Sequence, residues 1–312
     1  MNVLHKTKRP PEAETVQEVE RLSRRSRRVH DFIHSLFFSG PSFLGMLIFF
    51  IIPFGVVVYY SFIAGALDHS FAGLKNYISV IQNGAFKIAV KNTAVFSALS
   101  VPLAVILALA LALMLEARIP FKSQFRTFFL SPMMVPIASI ILVWQVLFHD
   151  NGVVNEVLKV FGKDKIYWFS SNASLLVIVI LFLWKNLGYN MILFMSALAA
   201  IPGDITEACM LDGAGPMRVF FKIKLPYISS TVLFVTILSL ISSFKIFREV
   251  YLMTGRYPYE RLYMLQHFMN NTFESLDYQK LSAAAIIMCA VMIVLIGALF
   301  IIDDKLGRDI ES

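Results

Sequence analysis

Long apolar stretches separated by short polar ones run through the sequence. Six of them approach or exceed the roughly 20 residues that a helix needs to cross a bilayer. They fall at about 37 to 62, 92 to 115, 127 to 148, 172 to 201, 229 to 254 and 282 to 302. This pattern predicts an all-α, polytopic membrane protein with six transmembrane helices, whose even number puts both ends of the chain on one side. It divides the chain into a polar and basic N-terminal tail at 1–36, a six-span domain at 37–302 and a short C-terminal tail at 303–312. The links expected on the far side are long enough for short surface helices but not for a further domain.

The longest polar-containing link lies between the fourth and fifth stretches, where Glu207 to Pro226 reads EACMLDGAGPMRVFFKIKLP. Pro202, Gly203 and Asp204 stop the preceding run, and Asp204 with Glu207 three residues later has the form of a capping box. The spacing predicts a short helix to about Asp212. Gly213 can end it in a left-handed conformation, and Gly215-Pro216 can start a second short helix with proline at its first position. Leu225-Pro226 is expected to close this helix-turn-helix elbow, which occupies 203–226.

Composition strengthens the membrane reading. The 312 residues are 57% hydrophobic and only 16% charged, far more apolar than a soluble average. The net charge of +7 does not indicate nucleic acid, because the basic residues crowd into tails and short links. With the ends taken as cytoplasmic, sixteen of the 28 lysines and arginines fall inside, nine outside and three within spans. That bias supports cytoplasmic termini and a cytoplasmic elbow. The arginine cluster Arg21, Arg24, Arg25, Arg27 and Arg28 would hold the N-terminus inside, and Val16, Val19 and Leu22 recur at helical spacing. No cleavable signal is visible. Cys209 and Cys289 sit in settings too different for a disulfide framework. His30 and His34, an i, i+4 pair, are read as an interfacial surface, and no metal spacing stands out. There is no G-x4-G-K-[ST] phosphate loop.

The elbow carries a resemblance. Glu207-Ala208, Gly213, Ile223, Leu225 and Pro226 fall in the EAA-x3-G-x9-I-x-L-P register of binding-protein-dependent ABC importer permeases, with Cys209 at the usual third alanine. Phe71-Ala72-Gly73-Leu74-Lys75-Asn76-Tyr77 and Asn92-Thr93 resemble paired motifs of the sugar-type members. So do Trp184 with Gly188, Leu198 with Ile201-Pro202, the run Phe244, Phe247, Tyr251, Thr254-Gly255, and Ser282-Ala283. The resemblance is to the six-span version of the maltose and oligosaccharide type. It implies the permease subunit of an inner-membrane sugar importer, with no catalytic residues and no cofactor of its own. ATP and Mg would be used by two cytoplasmic ATPase subunits. The other implied partners are a second homologous permease, an extracytoplasmic solute-binding protein and membrane lipid. Glu207, Ala208, Cys209, Asp212, Gly213, Ile223, Leu225 and Pro226 would couple the chain to the ATPases.

Three cations lie within the apolar stretches, where each should face a cavity, a partner or the headgroups. Lys185 sits in Trp184-Lys185-Asn186-Leu187-Gly188-Tyr189-Asn190, read as a polar interruption of span four of the kind transporters place at substrate sites. Trp184 and Tyr189 offer ring faces to a sugar, and Lys185, Asn186 and Asn190 offer partners for hydroxyls. The bland reading is that these residues bond to neighbouring helices or to the second permease. In span five, Phe247, Arg248 and Tyr251 are further path candidates, while Lys245 and Glu249, at i and i+4, could neutralise one another. Trp144, Tyr59 and Tyr60 are expected to anchor spans at the interface. An oligosaccharide is the expected solute, with an acidic or phosphorylated small solute as the alternative. A channel or proton-coupled carrier would leave the elbow unexplained, and an intramembrane enzyme would lack paired catalytic groups.

Overall fold

The computed structural model describes residues 37–65, 70–116 and 121–311, with side chains to residue 304. The arginine cluster, the His30/His34 pair and the spacing of Val16, Val19 and Leu22 lie outside the described residues. The chain divides into two compact units, residues 1–59 and 60–312. The described part of the first belongs to one apolar helix, Phe37–Phe62, which contains a π-helical turn at Leu47–Ile51.

Four further helices are long and apolar enough to cross a membrane: Gly84–Glu116, Ser174–Ala199, Ser229–Thr254 and Tyr278–Asp304. We call these spans two, four, five and six. Span three differs from the expectation of one helix over 127–148. It is a pair, Lys122–Met134 and Ile137–Leu147, bent by 100°. The cause is Pro136, which disfavours helical geometry at the preceding residue. Val135 is accordingly extended, with φ −90° and ψ 133°, and Pro136 opens the second helix. Short helices occupy the links at Lys75–Gln82, Val153–Val160 and Leu265–Glu274, as their lengths suggested.

The core of the second unit is built where spans two and four pack along their length. Ala104, Ala108 and Ala112 of span two are fully buried at successive i, i+4 positions, and small residues let helices approach closely in a bilayer. Phe96 and Phe182 meet edge-to-face at 5.5 Å in one cluster with Ile246 and Val250 of span five. A second cluster joins Met191, Phe194 and Leu198 of span four to Leu115, Ile228 and Val235. Trp144, expected as an anchor, has its side chain packed inside the bundle. It is buried and stacks on Phe148 at 5.2 Å, because the bend in span three turns it towards Trp168 and span four.

Polar side chains tie the links down. Asn76 Nδ2 donates to the Ser61 and Ile63 carbonyls at 3.0 and 2.9 Å. Asn92 Nδ2 donates to those of Glu260 and Tyr263 at 2.6 and 3.1 Å, and Thr93 Oγ1 accepts from the Leu265 amide at 2.9 Å. These two motifs therefore act on backbone that would otherwise be unsatisfied.

Candidate functional site

The elbow forms much as its sequence suggests. Its first helix, Gly203–Leu211, follows Pro202. The capping box does not form: no side chain caps this helix, and Thr206 Oγ1 donates to the Gly203 carbonyl at 2.8 Å instead. Gly213 takes φ +80°, the left-handed residue of a Schellman turn in which the Gly213 amide reaches the Met210 carbonyl and the Ala214 amide reaches that of Cys209, at 3.1 and 3.0 Å.

The second elbow helix starts with Gly215 as cap and Pro216 at its first turn. It does not close at Leu225-Pro226. Instead it passes through a π-helical turn at Phe220–Lys224 and continues to Tyr227, since proline tolerates a first-turn position. Lys224 Nζ donates to both Glu116 oxygens at 2.7 Å, which fastens the elbow to the end of span two. Glu207, Ala208, Asp212 and Gly213 are exposed, and Cys209, Ile223, Leu225 and Pro226 are half-buried. Met210, Met217 and Phe221 are exposed too, and Leu211 is 90% exposed. A polar link that presents large apolar side chains is shaped to meet another surface.

The second group of candidate residues behaves differently from its reading as a helix break. Span four is one uninterrupted helix from Ser174 to Ala199, and Lys185 and Asn190 of its centre find partners on span five while Asn186 bonds within its own helix. Asn190 is buried and its Nδ2 donates to Ser239 Oγ of span five at 2.9 Å. Asn186 Nδ2 donates one turn back to the Phe182 carbonyl at 2.8 Å. Gly188 is a close contact rather than a hinge: a Cβ there would lie 1.9 Å from the Phe129 carbonyl oxygen.

Lys185 pairs with Glu249 Oε1 of span five, so the expected Lys245–Glu249 neutralisation does not occur. The reason is geometric, since Glu249 sits on the buried side of its helix while Lys245 and Arg248 are exposed. Neither of those two cations has a hydrogen-bond or ionic partner among the described residues. The Glu249 partner of Lys185 and the Ser239 partner of Asn190 were not foreseen. The available signal was that Glu249 is the one carboxylate in the apolar stretches of spans four and five.

What remains open on this face is aromatic. Trp184 is 39% exposed and Tyr189 40%. Trp184 meets Trp144 at 6.2 Å and lines a cavity of about 420 Å³ with Val135, Ser139 and Val143, where span three bends. Phe247 contacts Tyr251 at 5.3 Å and His267 at 4.7 Å. Gln145 Nε2 donates to the Met253 carbonyl at 2.9 Å, holding the bent span against the C-terminal end of span five. Among the described residues no group of His, Cys, Asp and Glu could hold a metal.

The family described as binding-protein-dependent transport system inner membrane component matches residues 100–312. The sulfoquinovosyl glycerol transport system permease protein SmoG of Agrobacterium fabrum is 30% identical over 260 residues, covering 80% of this chain and 84% of that protein. The sn-glycerol-3-phosphate transport system permease protein UgpA of Yersinia pseudotuberculosis is 29% identical over 79% of this chain and 86% of its own length. In fold, a chain of a bacterial ABC transporter involved in the import of the acidic polysaccharide alginate superposes with a TM-score of 0.78. That match has 21% identity and covers 92% of this chain and all of that one. The chain belongs to the family of binding-protein-dependent transport system inner membrane components, as a permease subunit of an ABC importer.

Proposed function

We propose that this permease, paired with a second homologous permease, forms the membrane path for an oligosaccharide delivered by an extracytoplasmic solute-binding protein. Two cytoplasmic ATPase subunits drive the cycle and bind the ATP and Mg, while this chain binds no cofactor. Both termini and the elbow face the cytoplasm. The observation that carries this reading is the elbow: a Schellman turn between two short helices that projects Leu211, Met210 and Met217 away from the bundle. Glu207, Ala208, Cys209, Asp212 and Gly213 lie on its outward part, and Ile223, Leu225 and Pro226 on its return. Closure of the ATPases moves the elbow. The Lys224–Glu116 pair then carries that motion into span two, and the continuous run through Tyr227 carries it into span five. On the solute side Trp184 and Tyr189 supply ring faces, with Phe247 and Tyr251 beyond them.

A second reading, an acidic or phosphorylated solute, is favoured by one observation. Of Lys185, Lys245 and Arg248 only Lys185 pairs with a carboxylate, Glu249, and the other two are exposed without partners among the described residues. The relatives named for sn-glycerol-3-phosphate and the importer of acidic alginate lend it support.

A photo-reactive residue at Leu211 tests the coupling reading. In membranes it should cross-link to a nucleotide-binding subunit, and more strongly so than one at buried Val235. An intact complex giving no such product would overturn it.

A further inference from the structure

We propose that Glu249 sets the sign of the electrical potential met by a solute on span four, by neutralising Lys185. The inference rests on the reading of that face as the solute path. The two residues come from different spans and pair through Lys185 Nζ and Glu249 Oε1. They are unequally placed: the Lys185 side chain is 37% exposed and that of Glu249 only 5%. A solute therefore meets the cation, and feels the carboxylate only through its effect on the cation. Glu249 Oε2 is buried with no partner, so among the described residues Lys185 is the group that holds this carboxylate in its buried setting. A charge so far from water is retained when it is paired.

The consequence is a choice of solute charge made by a residue that no solute touches. With the pair intact, the stretch offers Trp184 and Tyr189 rings beside a nearly neutral ion pair, which suits an uncharged sugar face. Without Glu249, Lys185 stands as an uncompensated cation beside the same rings, and the face becomes an anion site. Lys245 and Arg248, exposed on span five, add a positive background that is common to both states. If Lys185 did not stand on the open face beside these rings, removal of Glu249 would leave the potential at the rings unchanged.

Trp184 adjoins Lys185 and reports the local potential without knowledge of the natural solute. The assembled importer in proteoliposomes is quenched with the neutral probe acrylamide and with the anion iodide. Each variant is read against the same variant carrying Trp184→Phe, which subtracts all other tryptophans. Glu249→Gln should raise the iodide-to-acrylamide quenching ratio of Trp184 at least twofold. Lys185→Met should lower it, and the double variant Lys185→Met with Glu249→Gln should return it to the wild-type value. If Glu249→Gln fails to assemble, the difference between Lys185→Met and the double variant carries the same information. Ratios that are equal across the variants overturn the masking role. Failure of acrylamide to reach Trp184 at all overturns the path reading itself, and the masking role with it.

Discussion

Spans four and five carry similar polarity and handle it in opposite ways. Span four places Lys185, Asn186, Gly188 and Asn190 in its middle and remains one helix. Span five is interrupted at Lys245-Ile246, after a run containing Ser239, Ser242 and Ser243. There the backbone changes to i→i−3 bonds, Lys245 to Ser242 and Ile246 to Ser243, and the Ser243 hydroxyl donates to the Leu240 carbonyl at 2.7 Å. Serine that bonds its own preceding turn competes with the helix. Lys185 and Asn190 reach instead to span five, while Asn186 bonds the Phe182 carbonyl one turn back without interrupting its helix. In span four the polar side chains leave the helix whole, and in span five the back-bonded Ser243 stands where the helix gives.

This contrast breaks most severely at Gly188. If it is a packing contact, Gly188→Ala forces a methyl into the Phe129 carbonyl, at a cost of about 3 kcal/mol or more. The variant should then be lost from the monodisperse fraction in detergent. A well-assembled Gly188→Ala permease with slow uptake would return this residue to the hinge role. Next in size is the elbow turn, which is open: among the described residues nothing lies within 4 Å of a Cβ on Gly213. Gly213→Asp should abolish uptake while leaving yield and thermal stability within about 1 kcal/mol of wild type, the strain of one left-handed residue. Normal uptake would remove the elbow from the coupling route.

Acid should act where the Leu265–Glu274 helix packs on span five. His267, packed on Phe247, has its pKa lowered by burial from 6.5 to about 4. The unfolded chain therefore takes up this proton before the folded one does, so stability is complete above pH 6.5 and declines as pH falls towards 4. By pH 5 the loss should be on the order of 2 kcal/mol, seen in thermal unfolding, and His267→Gln should flatten that slope. The smallest effects separate the two classes of residue within span four. Asn190→Leu should cost about 1 kcal/mol of stability by removing the Ser239 bond, with Ser239→Ala adding little on top of it. Tyr189→Ala should leave stability unchanged and lower uptake several-fold. Should the two exchange phenotypes, the division between packing and path residues fails.

Much of the architecture was legible because hydropathy and turn chemistry act locally. The first and fifth stretches end where their helices end, Gly213 takes the left-handed conformation that suits a residue without a side chain, and Pro216 opens the helix its ring favours. The bend in span three was also written locally, in Val135-Pro136, but it was hidden by continuous hydrophobicity on either side. The roles of Lys185 and Asn190 were not legible. Glu249 lies 64 residues from Lys185 and Ser239 lies 49 from Asn190, and no local rule prefers these partners over the helical neighbour at i+4. Trp144 misled for a similar reason, since an aromatic near the end of an apolar run looks like an anchor until the bend folds it inward.

The π-helical turn at Phe220–Lys224 makes the elbow and the bundle independently adjustable. A turn that spends one extra residue rotates everything after it by about 100° relative to an unbroken α-helix. Met217, before the turn, thereby faces outward, while Ile228, after it, faces the core. Gain or loss of a single residue in this turn would rephase one surface against the other and leave the composition of both unchanged.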